Sequence, residues 1–271
     1  MVDPNWIERE EMVSEDKQED LWGASVADWA EHEADHAPSW EAMLSNMNVQ
    51  KGAYLLDAGC GAGGGAKSAI DLGAQVFGID KSPAMISYAK THVPLADFRV
   101  GDLEKMPYGD NFFDAVMAGN SVQYAQNPSN ALREIRRICK LDGKISICTW
   151  DVAEKNDQHL LRATIEKYMP KQSKPVAGPF TLAASGVLEK LVESAGLEVI
   201  SGEIVPITFY FENSENLMRK QLSSGAGQNA LTTLGADLYR NAINEFYEAH
   251  RGDDGILRIN NQFRFVTATP V

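Results

Sequence analysis

The stretch YLLDAGCGAGGGA, residues 54–66, constrains this chain more than any other. Tyr54, Leu55 and Leu56 make an apolar run the size of one buried parallel strand, and Asp57 closes it. Gly59, Gly61, Gly63, Gly64 and Gly65 then crowd the turn before a helix-like run from Lys67. Glycine there permits positive φ and leaves no Cβ between the main chain and a ligand. Strand, glycine turn and helix start together form a nucleotide-binding cradle. The competing reading is a turn whose glycines only bring helix and strand together.

Asp57 decides what such a cradle would hold. A dinucleotide brings a doubly negative pyrophosphate to this turn, and a carboxylate two residues before the first glycine would repel it. S-adenosylmethionine brings an α-ammonium and a sulfonium, which a carboxylate attracts. Asp80 lies at the end of the next strand-like run, 75–80, where an acid accepts hydrogen bonds from ribose hydroxyls. Asp102 follows the short run 97–100, so three acids stand at successive strand ends.

The rest of the chain alternates strand-like and helix-like runs, which implies a parallel sheet in an α/β fold. After the strand at 53–58 comes a helix at 66–72. Ser82-Pro83 opens another helix over 84–91, with Ser82 as N-cap. A fourth strand covers 115–118, a helix 128–139 and a fifth strand 144–150. A helix at 185–195 takes Ser185 as N-cap and stops at Gly196. Strand six spans 197–211, broken at Gly202 or Pro206, and FRFVTAT at 263–269 alternates as a closing strand. Leu231, Leu234, Leu238, Ala242 and Phe246 read as one apolar stripe. Residues 1–48 form an N-terminal helical cap over a main domain of residues 49–271, with lid insertions near 151–184 and 213–252.

With a formal net charge of −13 over 271 residues, no basic surface is offered to nucleic acid or to an anionic membrane. Cys60, Cys139 and Cys148 have no disulfide-framework spacing, and no apolar run approaches the ~20 residues of a bilayer span. A charged amino terminus is unlike a signal peptide, so a cytoplasmic protein, monomer or homodimer, is expected. His32-Glu33-Ala34-Asp35-His36 formally matches the HExxH metal motif. Its charged surroundings and the nearby Pro38 weigh against a buried ligand helix, and no metal is expected.

Asp-Ala-Gly-Cys-Gly-Ala-Gly at 57–63 resembles motif I of the class I S-adenosylmethionine-dependent methyltransferases. Across roughly residues 50–200 the chain is similar to their small-molecule, ubiquinone/menaquinone-biosynthesis-like branch, with Met106 to Asp114 close to a second family segment. The resemblance implies a Rossmann-like seven-stranded sheet of order 3-2-1-4-5-7-6, strand 7 antiparallel, with helical cap insertions. It implies S-adenosylmethionine as cofactor, bound by Asp57, Gly59, Cys60, Gly61, Gly63, Asp80, Lys81, Met85, Asp102, Leu103, Asn120 and Ser121. Asp102 would take the adenine amine and Leu103 its ring. Caps rich in aromatic residues point to a small, apolar or aromatic methyl acceptor bordered by Trp22, Trp29, Tyr124 and Trp150. Candidate bases are His32, His36, His159 and Tyr124, since family members often place a histidine near Tyr124 and this chain has none there. Two other readings stay open: a catalytically silent module that binds S-adenosylmethionine or S-adenosylhomocysteine and acts through partners, and an NAD(P) oxidoreductase.

Overall fold

The computed structural model describes residues 25–170 and 178–271. The strand-like runs pair into one seven-stranded sheet: β1 Tyr54–Ala58, β2 Gln75–Asp80, β3 Asp97–Val100, β4 Phe113–Gly119, β5 Cys139–Trp150, β6 Leu197–Phe211 and β7 Leu257–Pro270. Their spatial order is β3-β2-β1-β4-β5-β7-β6. The pairs from β3 through β5 are parallel, and β7 runs antiparallel to both β5 and β6. This is the expected fold and strand order. The winding reverses between β1 and β4, and ligands bind in the crevice beyond the carboxyl ends of strands at such a switch point.

Ten α-helices are seen among the described residues: α1 Val26–Glu33, α2 Ala37–Asn46, α3 Gly64–Asp71, α4 Pro83–His92, α5 Pro128–Ile138, α6 Gln158–Glu166, α7 Val187–Ser194, α8 Ser214–Leu222, α9 Gly225–Leu234 and α10 Ala236–His250. Neighbouring strand residues point to opposite faces and find different helices there. Leu55, Val76 and Met117 pack with Met43 and Leu44 of α2 and Ala66 and Ala69 of α3. Leu56, Ile79 and Val116 pack with Leu132 and Ile135 of α5 and Leu188 and Val192 of α7. Covering both faces is why these strands read as unbroken apolar runs. Ser82 caps α4 as expected, its hydroxyl accepting from the Met85 N–H at 3.4 Å.

Several elements depart from the sequence reading. β6 runs unbroken through Gly202 and Pro206, with one register shift between Val199 and Ser201. It is the edge strand, where a proline can turn its missing donor away from the ladder. Gly186, at φ 74°, precedes α7 in the capping position expected for Ser185. β5 begins at Cys139 rather than at residue 144, so Leu141-Asp142-Gly143 lies within an irregular strand. The supposed single stripe breaks at Gly235 between α9 and α10. Leu238 is consequently 45% exposed, and Tyr239 takes the buried position.

Candidate active site

The glycine loop is pinned from three sides. The N–H groups of Gly59 and Cys60 both donate to the Ile79 carbonyl, at 2.8 and 3.0 Å, tying the turn to β2. Gly59 has φ 81°, and a Cβ on it would lie 2.2 Å from the Cβ of Ser121 beyond β4. A Cβ on Gly61, at φ 50°, would lie 2.4 Å from Glu33 Oε1. These two positions need glycine for both backbone shape and space. Gly63 instead faces Val93, Phe98 and Ala89 of the core, and the Cys60 thiol is buried beside Gly78. At Gly63 and Cys60, therefore, only the main chain is left to face a ligand.

Three acids converge on this loop. Asp57 is 4% exposed and lies in register between Gly78 of β2 and Met117 of β4. Burial first, then the charges of Glu33 and Asp80, push its carboxyl up to about 8. Asp80 accepts from the N–H groups of Gly61 (3.0 Å) and Ser82 (2.9 Å), which fixes its orientation, while burial raises its pKa. Glu33, at the end of α1, reaches into the turn. Its Oε1 accepts from Ala62 N–H and from the Trp29 indole, both at 3.1 Å, and its Oε2 from Gly64 N–H at 3.0 Å. Burial holds Glu33 up at about 7 against the pull of those donors. Sequence reasoning noticed Glu33 only inside the HExxH match. Nothing in local spacing announces a contact with residues 29 and 31 positions away.

The remaining predicted cofactor residues come just after β2, β3 and β4 in the chain. Lys81 Nζ lies 3.6 Å from Asp102 across the ends of β2 and β3, and Asp102 also accepts from Glu104 N–H at 2.8 Å. Leu103 packs partly against the core, and Met85 is buried on α4. Asn120 adopts φ 54° just after β4. The Ser121 hydroxyl donates to the Ala58 carbonyl at 2.6 Å, so it braces β1 against the β4 turn.

Above the strand ends lies an aromatic wall. The His36 ring sits 5.2 Å from Phe263, 5.6 Å from Phe209 and 6.3 Å from both Trp29 and Trp40. Trp150 stands 4.5 Å from Phe263 and 5.7 Å from Phe180. Burial and the nearby Lys220 ammonium press His36 down to about 3, which keeps it neutral and weakly basic. His32 is also lowered, mainly by burial, and burial raises the Tyr124 phenol. His159 is exposed on α6, which removes it from an enclosed site. Trp22 lies outside the described residues. The chain changes from α-helix to a 3-10 turn between His32 and His36, and Glu33 is committed to the loop. Among the described residues no cluster of three or more His, Cys, Asp or Glu is placed to hold a metal.

α8 contributes one buried cation. Lys220 of α8 lies 3.4 Å from the Phe209 ring centroid and is ion-paired with Asp35 of the 3-10 turn between α1 and α2. Burial lowers it to about 8. A groove of about 280 Å³ elsewhere, lined by Glu41, Leu44, Asn48, Ser68 and Leu72, contains none of the converging acids.

Comparison with known proteins accords with this geometry. Residues 56–147 match the family described as "Methyltransferase domain". The chain is 33% identical over 136 residues to a sterol 24-C-methyltransferase of Gibberella zeae, covering 46% of this chain and 36% of that protein. It is 33% identical over 109 residues to a demethylmenaquinone methyltransferase of Renibacterium salmoninarum, covering 40% and 46%. It thus spans about half or less of the length of these curated relatives. Among solved structures, a methyltransferase complexed with the Trm112 activator of Haloferax volcanii superimposes with TM-score 0.58 at 21% identity, covering 90% of this chain and 96% of that one. The [4+2]-cyclase SpnF shares the fold at TM-score 0.55 and 22% identity, covering 85% and 80%. Glycine cradle, strand-end acids and sheet order agree with that match, and residues 56–147 form a methyltransferase domain.

Proposed function

We propose that this protein transfers a methyl group from S-adenosylmethionine to a small, apolar or aromatic acceptor. The observation that carries the reading is the convergence of Asp57, Asp80 and Glu33 on one glycine loop, where the charges acting on Asp57 come from the other two acids. Such a site favours a ligand that brings positive charge. It disfavours a pyrophosphate, and with it the NAD(P) reading.

Bound there, S-adenosylmethionine supplies a methyl group already activated by its positive sulfur. The chain's own task is to hold the acceptor in line and to keep water out. Asp80, oriented by two N–H groups, keeps lone pairs for ribose hydroxyls. Asp102 and Leu103 are suited to the adenine edge and face. The wall formed by His36, Trp40, Trp150, Phe209 and Phe263 would exclude water from the methyl position and favours an apolar or aromatic acceptor. The acceptors named for sterol and demethylmenaquinone relatives support the same class. His36 is too weak a base to deprotonate a phenol early, so an acceptor of low pKa, or one needing no proton loss before transfer, suits this wall.

Incubating the protein with methyl-labelled S-adenosylmethionine and fractionated metabolite extracts tests the reading. Label is expected in an apolar or aromatic fraction. Binding of S-adenosylhomocysteine with no labelled product from any fraction would favour the silent binding module instead.

A further inference from the structure

The way Glu33 is seated has a consequence for how the ligand enters. The N–H groups of Ala62 and Gly64 emerge from the glycine loop where a ligand would meet bare backbone, and Glu33 takes both. A Cβ on Gly61 would touch Glu33 Oε1, and one on Gly64 would lie 3.0 Å from Oε2. The carboxylate therefore rests on the loop itself, with no room for a second group against the same atoms. Trp29, one turn earlier on α1, closes the third side by donating its indole N–H to Oε1.

Among the described residues, Glu33 also draws only on hydrogen bonds. The charges around it belong to Asp80 and Asp57, both repulsive. A buried carboxylate held by N–H donors alone and facing two other acids is weakly favoured in its seat. A free amino acid end carries the same carboxylate together with an ammonium, which Asp57 and Asp80 would attract.

We propose that Glu33 is an internal stand-in for the carboxylate of the cofactor's amino acid end, and that ligand and Glu33 compete for the Ala62 and Gly64 N–H groups. Cofactor entry then requires α1 to lift off the loop, taking Trp29 with it. The affinity measured for the cofactor includes the cost of expelling Glu33. This inference rests on the loop being the cofactor site.

Three measurements test it. Calorimetry compares S-adenosylhomocysteine, which has the amino acid end, with 5′-methylthioadenosine, which lacks it, on wild type, Glu33→Ala and Glu33→Gln. Competition predicts that Glu33→Ala tightens S-adenosylhomocysteine about tenfold and changes methylthioadenosine less than about twofold, a tenfold change corresponding to ~1.4 kcal/mol. Glu33→Gln, which keeps the shape but not the charge, should shift affinity the same way by less. Hydrogen exchange over residues 26–33 of the wild type should speed up when S-adenosylhomocysteine binds. Unchanged or weakened S-adenosylhomocysteine binding in Glu33→Ala, or slower exchange in α1, overturns the competition while leaving the cofactor assignment intact. If neither nucleoside binds wild type or variants, the cofactor assignment and the competition fall together.

Discussion

At Asp57, burial and the neighbouring carboxylates hold the acid up to about 8, whereas an unfolded aspartate releases its proton near 3.9. Between those values the folded chain keeps a proton that the unfolded chain has lost, so stability falls as pH rises through the window. Glu33, held up to about 7, acts in the same direction. The lowered histidines, His32 and His36, act oppositely below about 6.5, and the lowered Lys220 acts oppositely above about 8. The acids therefore show most cleanly between pH 6.5 and 8. Urea titrations of the ligand-free protein should give a midpoint that drops across that interval, and Asp57→Asn should flatten the drop above pH 7. A wild-type midpoint that climbs there would contradict the buried-acid picture. Asp57, Asp80 and Asp102 were legible in the sequence because each ends a strand-like run, where side chains meet the crevice. Glu33 was not, since its contact depends on where a helix 30 residues upstream comes to rest.

Among the elements, the β1–α3 turn is the most demanding. Alanine at Gly59 would have to hold φ 81° with its Cβ 2.2 Å from Ser121, which is itself tied to Ala58. Gly59→Ala should cost about 3 kcal/mol or more by urea denaturation, whereas Gly109→Ala, with open space around its Cβ position, should stay within about 1 kcal/mol. Equal effects at the two sites would show that the turn is less constrained than its contacts imply. Periodicity served well for β1 to β4 and their helices, because buried parallel strands and amphipathic helices are separated by clear glycine and proline breaks. It misled over residues 231–246, where apolar spacing continues smoothly across Gly235 although the chain changes direction there. The unbroken β6 was equally hidden, since proline reads as a break unless the strand is known to be an edge.

Across the whole molecule, α8 is bound to α1 and the 3-10 turn that follows it as well as to the sheet. Arg219 of α8 reaches Glu31 at 2.6 Å and Asp28 at 3.4 Å, while the adjacent Lys220 pairs with Asp35. Because Lys220 is buried and Asp35 is 40% exposed, the two partners are unequal. Asp35→Asn strands a buried cation and should cost about 2 kcal/mol, whereas Lys220→Met removes the charge while keeping the stem's packing and should cost less than about 1 kcal/mol. Urea midpoints of the two variants and the double variant check this; equal losses would mean that burial of the ammonium matters little. The aromatic wall was only dimly legible, because its rings come from the 3-10 turn before α2, from α2 and from β5, β6 and β7, and no single stretch contains the pattern.

That interlocking of two segments distant in sequence has an evolutionary corollary. The strip from Tyr54 to Ser121 carries the glycine loop and the strand-end acids, while α1, the 3-10 turn after it and α8 come from segments distant in sequence and are joined by complementary charges. The two segments can thus diverge while the strip between them is kept, provided that they change as a matched set. In a chimera with a sister enzyme, exchanging residues 25–46 together with 214–250 preserves that match, and exchanging either segment by itself breaks it.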